Sequence, residues 1–408
     1  LVQSSKWIEG NLPDSDLLEK VTVDLLKECK CDNFNNRWVV PEVFSPEFDF
    51  RPEKVKDHIR KLIPYVKVDA SPGVPLSNIA PTNGQVIDHL GEQLVDMVYE
   101  RIHSLCFCPN FVDCRPTSLD LVEHGLCDPV RLFIKNEPHT KAKIEEGRLR
   151  LIMSVSLVDK IIEAFFSNHM NKSEIAHWYQ LPFKPGMGFT LEDHQRIYQR
   201  LKSFGFENLA SADVSGWDQS VKEWMLIWDV EFRLRAQQPI AGCFERGFRN
   251  RAYVLANSVF QLSNGDLYSH PPGIQCSGSN NTSSTNSHMR SMLARLVGST
   301  HADSNGDDCI ETIVDDAIQK YMYYGFRCKM YDKIETSFEF CSHMYSEKGA
   351  YALNIIKETM NLLHHHHASP EELRDYTLQY EEDLAFNPDF PSVLNLLKGM
   401  GWYAKLNC

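Results

Sequence analysis

Three carboxylates set the chemistry this sequence can do. Asp307 and Asp308 follow Gly306, between His301-Ala302-Asp303-Ser304-Asn305 and the apolar Cys309-Ile310. Two adjacent acids at a tight turn, flanked by strand-forming residues, suit the presentation of a divalent metal. Taken alone, Gly-Asp-Asp is also an ordinary surface turn. A third acid, Asp213, opens Asp213-Val214-Ser215-Gly216-Trp217-Asp218 far upstream. Between them lies Ser277-Gly278, then Thr282 and Asn286, at the spacing S-G-x3-T-x3-N. Mg²⁺ prefers hard oxygen ligands and keeps several waters, so two or three carboxylates suffice. Mn²⁺ accepts the same oxygen ligands and is a possible substitute.

The second chemical element is basic. Lys135-Asn136-Glu137-Pro138-His139 is followed by Lys141, Lys143 and Gly147-Arg148-Leu149-Arg150-Leu151-Ile152. Seven Lys/Arg stand against four Asp/Glu between Arg131 and Lys160, inside a chain of formal net charge −13. That overall charge argues against a nucleic-acid partner, but a channel needs only local positive charge. Most of the acidity lies elsewhere, as in Glu371-Glu372 and Glu381-Glu382-Asp383, which read as solvated helix faces.

The elements that must position these groups alternate along the chain. Val55, Ile59 and Ile63 repeat at four-residue spacing, so Lys54–Ile63 is expected to be helical, as is Gln85–Ile102. Arg131–Lys135 reads as a strand and Val158 to about Trp178 as a helix. From Ala210 a strand runs into Asp213, and a helix follows from Trp224 to Arg235. A second helix is expected from Asn281 to Leu296, then strand–turn–strand around Gly306 and a helix from Thr312 to Tyr323. This order suits an antiparallel sheet covered by helices on one face, an α+β plan.

The three motifs, in this order, resemble motifs A, B and C of viral RNA-dependent RNA polymerases. The wording K-x-E-P-H, then G-R-x-R-L-I and Ser154-Val155-Ser156-Leu157-Val158-Asp159, is similar to sobemovirus-type and polerovirus-type polymerases. The resemblance implies a right-hand polymerase adding NTPs to an RNA 3′ end by two-metal transfer. It implies fingers and an N-terminal extension over 1–209, with part of the palm near 155–185. The palm spans 210–344, with a fingers excursion near 236–272, and 345–408 is a small helical thumb. Asp213, Asp307 and Asp308 are the implied catalytic metal ligands. Asp218 and Asn286 would recognise the ribose 2′-hydroxyl, with Ser277, Gly278 and Thr282 beside nucleotide and template. Lys135, Arg148 and Arg150 resemble motif F, the two arginines alternating on one strand face toward triphosphate oxygens. Ser71 and Gly73, in Ser71-Pro72-Gly73-Val74-Pro75, resemble the template-guiding motif G. Lys333, after Tyr324-Gly325-Phe326, resembles the motif D acid and is preferred to Lys329 by its spacing from Gly325. Cys341 and Ser342, in Phe340-Cys341-Ser342, resemble the primer grip of motif E. Implied partners are RNA template and product, NTPs, other viral replication proteins and a genome-linked protein primer.

Rival readings are a reverse transcriptase and a catalytically silent RNA-binding scaffold. The Asp218/Asn286 pair and Gly306 before the acids oppose the first; intact Asp213, Asp307, Asp308 and Arg150 oppose the second. No apolar run is long enough to span a membrane, and no signal peptide is visible at Leu1. The resemblance implies release from a viral polyprotein into replication complexes of the host cytoplasm. Twelve cysteines point to a reducing compartment rather than a disulfide scaffold. His103, Cys106, Cys108 and Cys114 form a loose cluster of zinc-ligand types, for which buried free thiols are the preferred reading. His364 to His367 reads as a solvated helix end.

Overall fold

A computed structural model describes residues 6–31, 37–47, 50–135, 137, 141–147, 149–364 and 369–403. It is a mixed α+β fold in which antiparallel sheets are packed by helices. Among the described residues one four-stranded sheet carries the carboxylates, in the order Ala302–Asn305, Asp308–Thr312, Leu209–Val214, Cys328–Lys333, with every neighbour antiparallel. A second joins Leu151–Ser154, Val130–Ile134, Val259–Gln261 and Leu267–Ser269; its one parallel pair is Val130–Ile134 with Val259–Gln261. Residues 259–269 therefore pair with the basic region's strands rather than with the carboxylate sheet. A third sheet, of three strands, spans Phe338–Phe340, His343–Ser346 and Gly349–Ala352.

The helix Thr282–Val297 backs the carboxylate sheet, and every residue from Ser284 to Val297 is buried. Met289, Met292, Leu293 and Leu296 pack with Trp217, Phe232 and Tyr321 in one apolar cluster. The polar residues of the same helix need buried partners, because an unmade hydrogen bond costs about 1–3 kcal/mol. Several have them: His288 bonds Asp229 at 2.6 Å, Thr285 bonds Asp229 at 2.9 Å, and Arg233 bonds Asp229 and Ser284 at 2.9 and 2.7 Å. This network ties the helix to Glu223–Ala236 and fixes its register against the sheet.

Most expected elements are present, within a residue or two. Pro52–Leu62, Leu157–His177, Glu223–Ala236 and Thr282–Val297 are helices, and Val130–Ile134 and Leu209–Val214 are strands. Three expectations need correction. The helix expected over Gln85–Ile102 is two, Asn83–Leu90 and Glu92–Phe107, because Gly91 adopts φ +50° and breaks the run. Residues near Thr312 continue the Asp308–Thr312 strand, and the helix begins only at Ala317. The last part of the chain is helical over Ile355–His364, Pro370–Leu384 and Phe390–Gly399, yet position 345 lies inside a strand.

Candidate active site

The hairpin Ala302–Asn305/Asp308–Thr312 brings the acids to one end of the sheet. Asn305 pairs with Asp308, so Gly306-Asp307 is a two-residue turn. Gly306 takes φ +63° in its first position, where a hairpin turn of this kind requires a residue without a β-carbon. On the next strand Ala212 pairs with Cys309, and one step further along that register Asp213 lies beside Asp308. Two sequence-distant motifs thus become neighbours through ordinary antiparallel pairing.

The electrostatics record this closeness. Partial burial, then the charges of Asp307, Asp213 and Glu339, push the Asp308 carboxyl up to about 7. Asp307 reaches the surface, yet the surrounding protein displaces enough water, and Asp213 adds enough like charge, to raise it as well. Burial and Asp307 push Asp218 up to about 6. Carboxylates that raise one another's proton affinity are short of positive charge, and hard oxygens suit Mg²⁺ or Mn²⁺. The donor types fit the metal that the sequence implies, while the three carboxylates stand farther apart than 4.8 Å as a trio.

Two cations answer part of that shortage. Lys329, exposed on the outer strand, places Nζ 2.9 Å from Asp213 Oδ2, and the bond raises its own proton affinity. Lys333 ends the same strand opposite Ala210, three pairs along from the Asp213–Met330 pair. It lines a separate cleft with Phe204, Asn208 and Thr312. Spacing from Gly325 pointed to Lys333; the strand register brings Lys329 to the acids instead. Arg150 is the second cation, and its charge is felt at both Asp218 and Asp307.

Arg150 is exposed and lies just before the strand, which begins at Leu151. Arg148 lies outside the described residues, as do Asn136, Pro138 and His139. Lys135 is held nearby: its N–H donates to the Arg150 carbonyl at 2.9 Å, and Glu137 bridges Lys135 at 2.8 Å and Arg150 at 3.7 Å.

Asp218 and Asn286 do meet. Asn286 Nδ2 approaches Asp218 Oδ1 at 3.4 Å, and the indole N–H of Trp217 donates to Asn286 Oδ1 at 2.9 Å. An indole nitrogen can only donate, so this contact settles which way the amide faces. Trp217 is buried as a core residue, and it is also the group that aims Asn286.

The loop before this helix packs on the basic region. A β-carbon at Gly278 would lie 2.2 Å from the Met153 carbonyl oxygen, so glycine is required there by a neighbouring strand. Ser277, an exposed residue, accepts on Oγ from the Met153 N–H at 3.3 Å. Thr282 Oγ1 is turned onto its own loop, 2.8 Å from the Ser279 carbonyl, and is not brought to Asp218. Gly73 takes φ +68° against the Val155–Ser156 backbone, and Leu157 donates to the Pro72 carbonyl at 2.8 Å, so the Ser71 loop is docked on the start of the Leu157–His177 helix. Cys341 and Ser342 both have positive φ, in the turn between Phe338–Phe340 and His343–Ser346. Burial raises the Cys341 thiol well above its usual range, and the charges of Asp308 and Asp307 add to it, so this turn abuts the acids.

Arg290 was not legible as a site residue. Fully buried on the Thr282–Val297 helix, it donates to the Asp307 carbonyl at 3.2 Å, the Ala212 carbonyl at 3.3 Å and Tyr321 Oη at 2.8 Å. One guanidinium therefore holds the backbone of both acidic strands. Ser287 adds a second clamp by accepting from the Gly306 N–H at 2.9 Å. An arginine in an otherwise buried helix, four residues after Asn286, was the available signal. The His103, Cys106, Cys108 and Cys114 side chains do not converge: Cys106 is buried in the core, Cys114 is exposed, and the His103 ring packs on Phe107 at 4.7 Å.

Acids at a hairpin beside a second acidic strand, an amide aimed by an indole and a nearby basic segment are group types that nucleotidyl transfer calls for. The model of the viral RNA-directed RNA-polymerase family matches residues 68–355, and the chain belongs to that family. Replicase polyprotein P2AB of Southern bean mosaic virus is 40% identical over 351 residues, 81% of this chain and 34% of that protein. Protein P1-P2 of Potato leafroll virus is 35% identical over 339 residues, 78% of this chain and 31% of its own length. The RNA-directed RNA polymerase of Mushroom bacilliform virus is 34% identical over 333 residues, covering 77% of this chain and 78% of its own. The chain thus spans about a third of the first two relatives and most of the third. The likeness to sobemovirus- and polerovirus-type polymerases carried by the motif wording is borne out. No described helix is long and apolar enough to cross a membrane.

Proposed function

We propose that this chain is the polymerase of a positive-strand RNA virus, extending an RNA 3′ end with ribonucleotides on an RNA template. The observation that carries the reading is the meeting of Asp213, Asp307 and Asp308 at one sheet end, within reach of the Arg150 charge. Asp213 and Asp307 would hold Mg²⁺, with Asp308 auxiliary. The bound metal would activate the 3′-hydroxyl and neutralise the triphosphate. Arg150 and Lys135 would orient the triphosphate, since a guanidinium offers paired donors to phosphate oxygens. Asp218 would accept from the ribose 2′-hydroxyl while Asn286, held by Trp217, supplies the second polar contact. Lys329 holds a proton on Nζ beside Asp213 and replaces Lys333 as the group that would protonate the leaving pyrophosphate.

The Ser71 loop would guide template, and the Cys341–Ser342 turn would grip the primer end. In this reading, residues 1–209 are mainly fingers and N-terminal extension, with part of the palm near 155–185, 210–344 are the palm with a fingers excursion near 236–272, and 345–408 are the thumb. Release from a polyprotein, action in cytoplasmic replication complexes and initiation from a genome-linked protein belong to the same proposal, supported by the replicase polyproteins that the chain resembles. Extension of a labelled RNA primer on a homopolymer RNA template, with Mg²⁺ and the complementary NTP, tests it. Elongation on RNA but not without template is expected; extension with deoxynucleotides alone would favour the reverse-transcriptase reading.

A further inference from the structure

Away from the acids, three side chains from distant parts of the chain converge where the C-terminal helices meet the three-stranded sheet. They are His194 on the Leu191–Lys202 helix, His343 on the His343–Ser346 strand and Asp383 on the Pro370–Leu384 helix. One ligand atom from each lies within 4.8 Å of the others, and no other trio of metal-ligand side chains does so among the described residues.

The orientation of the rings is what points to a ligand. His343 Nδ1 lies 2.8 Å from the Cys341 carbonyl, which turns Nε2 toward Asp383 Oδ1, also at 2.8 Å. His194 Nδ1 lies 2.9 Å from Tyr345 Oη. His194 is only 5% exposed, and its Nε2 has no well-formed hydrogen bond; the Phe189 backbone makes at most a weak one to the ring. An ion pair between His343 and Asp383 explains two of the three groups and leaves that buried nitrogen unsatisfied, at a cost of about 1–3 kcal/mol. A metal explains all three. Ligating histidines commonly fix their second ring nitrogen on a carbonyl or hydroxyl, as both do here.

We propose that His194, His343 and Asp383 bind a zinc-class divalent ion that fastens the C-terminal helices to the strand carrying the Cys341–Ser342 turn. Two imidazoles and one carboxylate suit Zn²⁺ or Co²⁺ and disfavour Mg²⁺, so the ion is distinct from that of the aspartates. Two ligands of one tetrahedral zinc lie about 3.3 Å apart by their usual bond lengths, so the His343–Asp383 contact need open by only about half an ångström. The fourth position faces a cleft of ≈ 530 Å³ lined by Phe189, Ser342, Lys357 and Glu358, from which water would complete the shell. Because the Cys341 carbonyl orients His343, occupancy would stiffen the turn that abuts Asp308.

The test is Co²⁺ and Zn²⁺ titration of the full chain with residues 364–367 replaced by glutamine, since four adjacent histidines take up the same ions. One Co²⁺ per chain is expected, with visible absorption of four- or five-coordinate strength, displaced by Zn²⁺ and not by millimolar Mg²⁺. Asp383 is partly exposed, so Asp383→Asn should fold, and it should weaken Co²⁺ binding at least about tenfold, as should His194→Gln. Zn²⁺ should raise the melting temperature of the parent and not of Asp383→Asn. No binding tighter than about 100 µM, or equal affinity in parent and both variants, would overturn the site. The readout is metal and not nucleotide incorporation, so it stands or falls separately from the polymerase reading.

Discussion

Trp217→Phe isolates the group that aims Asn286. Phenylalanine keeps an aromatic ring in the core beside Phe326 (5.4 Å between ring centroids) and removes the indole N–H that donates to Asn286 Oδ1 at 2.9 Å, together with part of the buried indole's bulk, a packing loss that lowers stability and acts on both sugars alike. Asn286 then loses one neutral hydrogen bond, worth about 0.5–1.5 kcal/mol, and its amide is free to turn away from Asp218. Selectivity for ribo- over deoxyribonucleotides should fall roughly 2- to 12-fold, since 1.4 kcal/mol is about tenfold. Asn286→Ala removes the 2′-hydroxyl contact itself and should cost about 1–3 kcal/mol, roughly 5- to 150-fold, because a site built to bond a hydroxyl is left unpaired. The double variant should resemble Asn286→Ala alone, as the indole acts only through the amide. The assay is single-nucleotide incorporation with matched ribo- and deoxyribonucleotides on one RNA template, read as the ratio of kcat/KM values. Equal losses for both sugars in Trp217→Phe and in Asn286→Ala would mean that the pair merely supports the helix, and the sugar-selecting role would be refuted.

Three further outcomes follow from the same geometry. Arg150→Ala should raise the KM for NTPs more than it weakens RNA binding, with Arg150→Lys restoring activity only in part; a loss confined to RNA affinity, measured by filter binding, would move Arg150 to the template path. Lys329→Ala should lower kcat by about 10²-fold or more while Lys333→Ala leaves it within about twofold, the range general acids usually contribute; the reverse pattern would restore the assignment made from spacing. The Asp308 carboxyl at about 7 stands above its unfolded value, so the metal-free fold favours its proton, and stability falls as pH rises from about 4 to 7. Mg²⁺ must displace that proton, so apparent Mg²⁺ affinity should be roughly tenfold weaker at pH 6 than at pH 8, and Mg²⁺ should raise the melting temperature more at pH 8. A Mg²⁺ effect independent of pH would remove Asp308 from the metal's surroundings.

Much of this site was legible because it is carried by short local patterns. Gly306-Asp307-Asp308 reads as a hairpin turn since glycine suits φ +63° best, and Asp213 lies near the end of a mostly buried strand, Leu209–Val214. Antiparallel register then makes them neighbours without further information. What failed depends on distance in space. Lys329 and Lys333 share a strand, and only its pairing with Leu209–Val214 decides which end meets Asp213. The broken helix at Gly91 and the strand through Thr312 lost to a positive φ and to sheet pairing that periodicity does not carry. The need for glycine at 278 is set by the Met153 carbonyl, which already occupies the space a β-carbon would take, a contact the motif does not carry. Arg290 and Trp217 act through buried hydrogen bonds to residues far away in sequence, which no single-chain motif announces.

The most direct test of metal-dependent synthesis at these carboxylates is primed extension by Asp307→Ala and Asp213→Ala, run beside wild type with Mg²⁺ and with Mn²⁺. Asp307 is exposed in a turn and contributes little packing, so circular dichroism and melting of Asp307→Ala should match the parent. Extension should fall below detection with Mg²⁺ in both variants, while primer–template RNA is still bound. A folded Asp307→Ala chain that extends the primer at the wild-type rate would contradict the assignment of the catalytic metal to this sheet end.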